Sequence, residues 1–226
     1  MSDGVAPNVQ SGSLACPFSH GPGALDLMAF QESVVTKPLT DKELQTKLLE
    51  LMRAGTLLIK NGSGVDKCPE HFLQNYCAAK LIEEGFIVTP EVSARDVSDW
   101  FKIPYDEGFF VDLIIWDRHP SNNPSKAKAR AIVEFKVWAS YVGSDVQRTA
   151  RLMAKINDPT VFGLVVAGGW MSDPGTAKRE GLGRVEGYEG VQHLAFDAII
   201  PGYSDRQFGV VIGIPVKPAA ALPAGA

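Results

Sequence analysis

The sequence predicts an α/β fold in which a central mixed sheet of about four core strands is flanked by helices. Three nearly continuous runs of apolar, β-branched and aromatic residues, at 109–116, 131–138 and 161–167, have the composition of strands buried on both faces. Two segments with helix-start and helix-end signals, at about 69–84 and 145–157, are interleaved with these runs. With a shorter strand run at 86–92, they predict the element order helix, three strands, helix, strand.

The N-terminal part of the chain predicts an arm followed by a helix. Residues 1–38 are rich in Gly, Pro and Ser and have little periodicity, which predicts a flexible arm. Thr40 or Asp41 then caps a predicted helix that runs to about Ala54 on a stripe of leucines. Gly55 is expected to end this helix.

The next helix and strand have clearer boundary signals. Pro69 suits the first helical position, and Glu70 suits the first turn because the positive end of the helix dipole lies there. Gly85 is expected to end the helix. The run 86–92 predicts the first strand, and Pro90 places that strand at a sheet edge or at a bulge.

Two connections separate the first three strands. Residues 96–107 predict a connection whose Trp100, Phe101 and Tyr105 cover the core, with stacking on nucleic-acid bases as the alternative. Residues 117–128 predict a polar, basic hairpin loop that contains two prolines.

The C-terminal half completes the core and extends it. Ser144 caps the predicted helix at 145–157, and the strand at 161–167 follows. A glycine-rich insertion is predicted at 168–190. Two further strands, at 193–200 and 207–216, either extend the sheet or form a small flap.

Composition limits the class of protein. The 226 residues, 45% hydrophobic and 21% charged, predict a single domain at 39–217 with its core at 66–167 and a loose tail at 218–226. No apolar run is long enough for a membrane helix and no signal peptide is recognisable, so no membrane partner is expected. Three cysteines without a C-x-x-C pair predict neither a disulfide framework nor a zinc site, and favour a cytoplasmic location.

Three charged residues interrupt the buried strands. Asp112 lies in the second predicted strand, and Glu134 and Lys136 lie in the third. Because side chains at i and i+2 of a strand share a face, Glu134 and Lys136 project together, and the neighbouring strand can place Asp112 beside them. Two carboxylates suit Mg²⁺, and a lysine beside them suits the charge that develops on a phosphate during hydrolysis. This spacing predicts a metal-dependent nuclease.

The same residues resemble the signature of the PD-(D/E)xK, or restriction-endonuclease-like, nuclease superfamily, an acidic residue on one strand and (D/E)-x-K on the next. The resemblance covers about residues 66–167, although Val111 stands where the superfamily often has proline. It implies that Asp112, Glu134 and the backbone carbonyl of Phe135 hold Mg²⁺ or Mn²⁺. It also implies that Lys136 orients the attacking water or stabilises charge.

The resemblance further implies site residues on the two flanking helices. An acidic residue of the first helix often reaches the metal in this superfamily, which makes Glu70 a candidate metal ligand and leaves Gln74 as its rival. Gln147 and Arg151 of the second helix are candidates to contact the scissile phosphate or the attacking water. The alternatives are dipole complementation for Glu70 and ordinary surface polarity for Gln147 and Arg151.

A basic segment surrounds the candidate site in the sequence. Between Arg118 and Lys155, eight Lys or Arg residues stand against two acids, although the whole chain has a net charge of −4. Such a segment suits a phosphate backbone, and solvated loop lysines are the alternative. The predicted nucleic-acid contacts are Lys126, Lys128, Arg130, Arg148 and Arg151.

The predicted function is therefore Mg²⁺- or Mn²⁺-dependent hydrolysis of nucleic acid, with DNA favoured over RNA and a homodimer left open. The first alternative is an inactive relative that keeps the fold as a nucleic-acid-binding or assembly module. The second is an unrelated α/β protein in which Glu134 and Lys136 form an ion pair. Scattered histidines and the absence of H-E-x-x-H and G-x-S-x-G motifs argue against the common zinc-protease and serine-hydrolase classes.

Overall fold

The computed structural model describes residues 39–61, 69–118, 128–137, 142–171, 175, 185–199 and 207–218. The predicted arm at 1–38, Lys126 with most of its hairpin loop, and the tail after Pro218 lie outside the described residues. Within these ranges, no helix is long and apolar enough to cross a membrane.

The described strands form one mixed sheet, as the sequence predicts. The sheet has the strand order β1-β2-β3-β4-β6-β5, and β3 and β4 are parallel while the other neighbouring pairs are antiparallel. The strands are β1 Ile87–Val92, β2 Val111–Arg118, β3 Lys128–Val137, β4 Phe162–Met171, β5 Gln192–Ala198 and β6 Gln207–Val216. Pro90 lies in an edge strand, and the last two strands extend the sheet instead of forming a flap.

Helices cover both faces of this sheet. Within the described residues, the α-helices are α1 Asp41–Asn61, α2 Pro69–Glu83, α3 Ala94–Phe101 and α4 Val142–Ile156. Helices α1 and α2 bury their leucines against one face, and α3 and α4 pack on the other. The parallel pair needs a crossover between β3 and β4, which α4 supplies. The predicted α/β class with a central mixed sheet is confirmed.

Helix α2 ends where the sequence predicts. Gly85 has φ +89°, a conformation that favours glycine because it has no Cβ. The Phe86 amide donates to the Leu81 carbonyl and the Gly85 amide to the Ile82 carbonyl, both at 2.9 Å. These two bonds satisfy carbonyls that the helix end would leave unpaired, as in a Schellman motif.

The prediction that Gly55 ends α1 is wrong, because the helix continues to Asn61. A Cβ at position 55 would lie 2.8 Å from Leu73 Cδ2 and 3.0 Å from Tyr76 Cδ1, both on α2. The glycine therefore serves close packing between two helices rather than chain reversal. Intrinsic propensity is a weak signal when tertiary packing stabilises a helix through glycine.

The predicted connection at 96–107 contains most of α3, a helix that was not predicted, and the start of a 3₁₀ helix, Glu107–Phe109. Ser93 caps α3 by accepting a hydrogen bond from the Asp96 amide. Trp100 and Phe101 contact the Trp116 ring with centroids 5.4 and 5.9 Å apart, which confirms that they cover the core. Tyr105 is exposed.

The other boundaries differ by a few residues. Helix α4 begins at Val142 instead of Asp145, and β4 continues four residues into the predicted glycine-rich insertion, as far as Met171. The longer β4 is stabilised by its antiparallel pairing with β6, which reaches Met171 opposite Phe208.

Gly209→Val is expected to lower the free energy of unfolding by about 1–3 kcal/mol, the usual range for overpacking. Gly209 in β6 pairs with Phe196 of the edge strand β5, and a Cβ at position 209 would overlap the phenyl ring. Chemical denaturation measures the loss. Ala195→Val, at an exposed position of β5, is the control and should change stability by less than about 0.5 kcal/mol. Equal stabilities for the two variants would contradict this account of the glycine.

Candidate active site

The antiparallel pairing of β2 and β3 brings Asp112 and Glu134 together. Leu113 pairs with Val133, so the next residues outward, Asp112 and Glu134, stand opposite each other on the same face. Their carboxyl groups lie close enough to share a hydrogen bond. Asp112 Oδ2 also accepts a hydrogen bond of 2.7 Å from the Phe135 amide. Sheet register alone therefore places two carboxyl groups at one point.

Arg148 of α4 contacts this carboxyl pair from the face of the sheet that α4 covers. Its Nη2 lies 2.5 Å from Glu134 Oε2 and 3.2 Å from Asp145 Oδ1. Because Glu134 is only 2% exposed, its contact with this guanidinium lies in an environment with little water. The Arg148 Cζ atom also lies 4.3 Å from the centroid of the Phe110 ring.

Lys136 lies two residues further along β3 than Glu134 and contacts two more carboxylates, those of Glu70 and Asp145. Its Nζ is 3.1 Å from Glu70 Oε1 and 3.6 Å from Asp145 Oδ2. Glu70 Oε2 accepts a bond of 3.4 Å from the Val137 amide. The first turn of α2 is thereby tied to the end of β3.

Glu70 and Gln74, the two rival residues of α2, have different positions. The Gln74 amide is buried and donates a 2.6 Å hydrogen bond to the backbone carbonyl of Asp112. Gln74 therefore holds the strand that carries Asp112, whereas Glu70 places its carboxylate beside Lys136. Of the two, only Glu70 carries a charge, and its carboxylate contacts Lys136 and the Val137 amide.

Helix α4 presents a different face from the one the sequence suggests. Gln147 and Arg151 are exposed and do not contact the cluster, whereas Asp145 and Thr149 are buried and Arg148 is turned inward. Sequence reasoning missed Asp145 and assigned Arg148 to nucleic acid. The available signal was helical spacing, because residues 145, 148, 149 and 152 share one face with the buried Leu152.

Among the described residues of the basic segment, Lys136 and Arg148 lie in the cluster, but Lys128 and Arg130 do not. Arg130 Nη2 donates to the Leu39 carbonyl at 2.8 Å and to Asp41 Oδ1 at 2.9 Å, near the start of α1. Lys128 is exposed and lies near Asp158. Six residues of strand separate Arg130 from Lys136, which is about 20 Å. Among the described residues, Arg130 and Lys128 therefore do not form a row of basic side chains beside the carboxylates.

Burial dominates the electrostatics of the paired carboxyl groups. It raises the pKa of Glu134 well above the ordinary value, and the nearby Asp112 charge raises it further while Arg148 opposes both. Burial also raises the pKa of Asp112, against the effect of the Phe135 amide. For Lys136, burial lowers the pKa, but its hydrogen bond to Glu70 and the Asp145 charge outweigh burial and raise it. The lysine is an ammonium, and the carboxyl pair favours retaining a proton.

The cluster carries an excess of two negative charges when all its groups are ionised. Four carboxylates, of Glu70, Asp112, Glu134 and Asp145, face the two cations Lys136 and Arg148. The Oδ2 atom of Asp145 is buried and makes no hydrogen bond. A divalent cation would offset this excess, and the raised pKa values of Asp112 and Glu134 show that the pair otherwise favours protons.

The donor set suits a cation that needs few protein ligands. In the part of the chain that the structure describes, no group of three or more His, Cys, Asp or Glu side chains is arranged to hold a metal ion. Asp112 and Glu134 supply two carboxyl groups, and Phe135, whose carbonyl is the third candidate ligand, directly follows Glu134 on β3. Mg²⁺ commonly takes one or two carboxylates and completes its shell with water and phosphate oxygens. The residues therefore fit Mg²⁺ better than zinc.

A cleft of about 380 Å³ opens beside Asp112. Its rim includes an ion pair in which His71 Nδ1 lies 2.6 Å from Glu91 Oε1. The lining residues are Glu70, His71, Gln74, Glu91, Val92, Ser93, Phe110, Val111 and Asp112. Of the carboxyl pair, Asp112 therefore lines the cleft, whereas Glu134 is buried.

The chain matches no protein-family model, no curated protein and no solved structure. Membership of the PD-(D/E)xK superfamily therefore stays a prediction.

Proposed function

We propose that the protein is a metal-dependent nuclease that hydrolyses phosphodiester bonds of nucleic acid, with DNA as the favoured substrate. The observation that carries the proposal is the meeting of Asp112 and Glu134 across two paired strands, with Lys136 two residues along the same face. Two carboxyl groups and an ammonium are the components that phosphodiester hydrolysis requires, and one of these carboxyl groups, that of Asp112, lines a cleft.

Each residue has a role that follows from its position. Asp112, Glu134 and the Phe135 carbonyl would hold Mg²⁺ or Mn²⁺, which when bound polarises the phosphate and promotes ionisation of water. Lys136 presents a charged Nζ that stabilises negative charge on the phosphate as the water oxygen attacks phosphorus and the P–O ester bond breaks. Glu70 fixes the ammonium by its 3.1 Å contact and is available as a further ligand.

One observation favours the alternative of a non-catalytic binding module. Arg148 already pairs with Glu134, so part of the negative charge is offset without a metal. In that alternative, Asp112, Glu134 and Arg148 are a permanent ion network and no cation enters. The excess of two negative charges among the ionised groups of the cluster, which a divalent cation would offset, supports the nuclease.

The purified protein is expected to cleave nucleic acid in Mg²⁺ or Mn²⁺ and to lose this activity in excess chelator. Single-stranded, duplex and branched DNA and single-stranded RNA should be compared in parallel. Calorimetric titration with Mn²⁺ should show binding that Asp112→Asn removes. Silence on all substrates together with no detectable metal binding would overturn the proposal, whereas nucleic-acid binding without cleavage or metal binding would support the inactive module.

A further inference from the structure

Phe110 is an exposed aromatic residue at the mouth of the candidate site. It lies in extended conformation, with φ −70° and ψ 150°, between the 3₁₀ helix and β2. Its side chain is 47% exposed, although other large apolar residues nearby, such as Phe109 and Ile114, are buried. An exposed phenyl group beside a polar cleft is a common feature of binding sites.

The ring has one supported side and one available side. Arg148 stands over it with Cζ 4.3 Å from the centroid, and Arg148 is itself held by Glu134 and Asp145. The ring also lines the 380 Å³ cleft. A half-exposed ring that is contacted by Arg148 and belongs to a residue lining the cleft is suited to stacking with a flat ligand.

The side chains that line the cleft indicate the chemical class of that ligand. Glu70, Glu91 and Asp112 contribute carboxylates to its lining, and carboxylates accept hydrogen bonds from amino groups. Val92 and Val111 add apolar surface. A neutral heteroaromatic base with exocyclic amino groups fits this lining, because it combines a flat apolar face with hydrogen-bond donors.

The spacing connects this cleft to the proposed chemistry. Phe110 and Asp112 are two residues apart in extended chain, about 7 Å, and such residues project to the same side. A separation of that order joins the phosphate and the base within one nucleotide. A phosphate at the Asp112–Glu134 pair would therefore have its own or its neighbouring base beside Phe110.

We propose that Phe110 is a stacking platform for one unpaired nucleobase next to the scissile phosphate. The inference rests on the proposed nuclease function and deepens it. A base within a duplex has both faces covered by its neighbours, so the platform requires a single strand, a frayed end or an extruded nucleotide. The preferred substrate is accordingly unpaired at the cleavage position.

The test compares binding of a single-stranded and a duplex DNA oligonucleotide of the same sequence in Ca²⁺, which occupies carboxylate sites while slowing hydrolysis. Phe110→Ala and Phe110→Leu are expected to weaken single-strand binding about 10- to 100-fold, because stacking on an aromatic side chain is lost. Phe110→Trp should retain it. Tyr105→Ala, which removes another exposed aromatic residue outside this cleft, is the matched control and should have no effect. Phe110→Leu keeps an apolar side chain against Arg148. A loss of binding in this variant therefore reports the loss of stacking and not a loss of folding.

The outcomes distinguish this inference from the proposed function. Equal single-strand binding by wild type, Phe110→Ala and Phe110→Leu overturns the platform while leaving Mg²⁺-dependent cleavage intact. A wild-type protein that prefers duplex DNA also overturns it. Failure of the wild type to bind any nucleic acid and to cleave in Mg²⁺ overturns both. Loss confined to the Phe110 variants, with Mn²⁺ affinity unchanged, supports the platform.

Discussion

Lys136→Met is expected to lower the rate of Mg²⁺-dependent cleavage about 10²- to 10³-fold, the usual effect of removing one group that stabilises transition-state charge. Methionine keeps the length and the apolar stem of lysine but has no charge. Asp112→Asn and Glu134→Gln are expected to reduce cleavage further, to the level of the chelated enzyme, because an amide is a far poorer ligand for Mg²⁺ than a carboxylate.

The measurement is single-turnover cleavage of a labelled oligonucleotide, with the Mg²⁺ concentration varied for each variant. Lys136→Met should retain the Mn²⁺ affinity of the wild type, since Lys136 is not a ligand, whereas the two carboxylate variants should lose it. Lys155→Met is the matched control, because Lys155 is exposed in the last turn of α4 and should cut at the wild-type rate. Undiminished cutting by Lys136→Met, Asp112→Asn and Glu134→Gln would contradict the nuclease proposal.

The metal-free protein is expected to lose stability as the pH rises, and Glu134→Gln is expected to remove much of that loss. Burial raises the pKa of Glu134 well above its ordinary value of 4.5. Above pH 4.5 the unfolded chain gives up this proton while the folded protein still holds it. The free energy of unfolding therefore falls as the pH rises towards the folded-state pKa. Glutamine is neutral at every pH, so it has no proton to lose.

Thermal melts of the metal-free protein between pH 5 and pH 9 measure this effect. At pH 8 Glu134→Gln should melt higher than the wild type, by about 2–4 °C for each 1 kcal/mol gained. Excess Mn²⁺ should raise the wild-type melting temperature, because only the folded state forms the site, and should leave Glu134→Gln unchanged. Glu50→Gln, at an exposed position of α1, should follow the wild type throughout. The assignment of Glu134 would be contradicted if raising the pH stabilised the wild-type protein more than it stabilised Glu50→Gln and Glu134→Gln.

Elements with local signals were predictable. Helix α2 begins at Pro69 and is followed by Gly85 in a left-handed conformation, because both residues act through their own backbone geometry. The apolar runs of β2, β3 and β4 were recognisable because strands buried on both faces have few polar residues. Helix α3 was missed because only eight residues form it, and its Ser93 cap lies within a stretch that otherwise has the composition of a loop.

Within the candidate site, the residues separated furthest in the sequence were the hardest to assign. Lys136 contacts Glu70, 66 residues earlier, and the sequence alone left Glu70 and Gln74 as equal alternatives. The structure distinguishes them. Gln74 donates a hydrogen bond to the Asp112 carbonyl, whereas Glu70, one turn earlier in α2, lies at the end of β3. Arg148 was assigned to nucleic acid because its contact with Glu134 depends on how α4 is rotated on the sheet.

The sequence by itself determined the α/β class and the positions of Asp112, Glu134 and Lys136 on adjacent buried strands, since hydrophobic pattern and strand periodicity are local properties. Only the tertiary structure decided that Asp145 and Arg148 complete the charge cluster and that Arg130 lies far from it. Those contacts depend on sheet register and on helix rotation. Both are set by packing of the whole core, where a shift of one residue moves a side chain to another face.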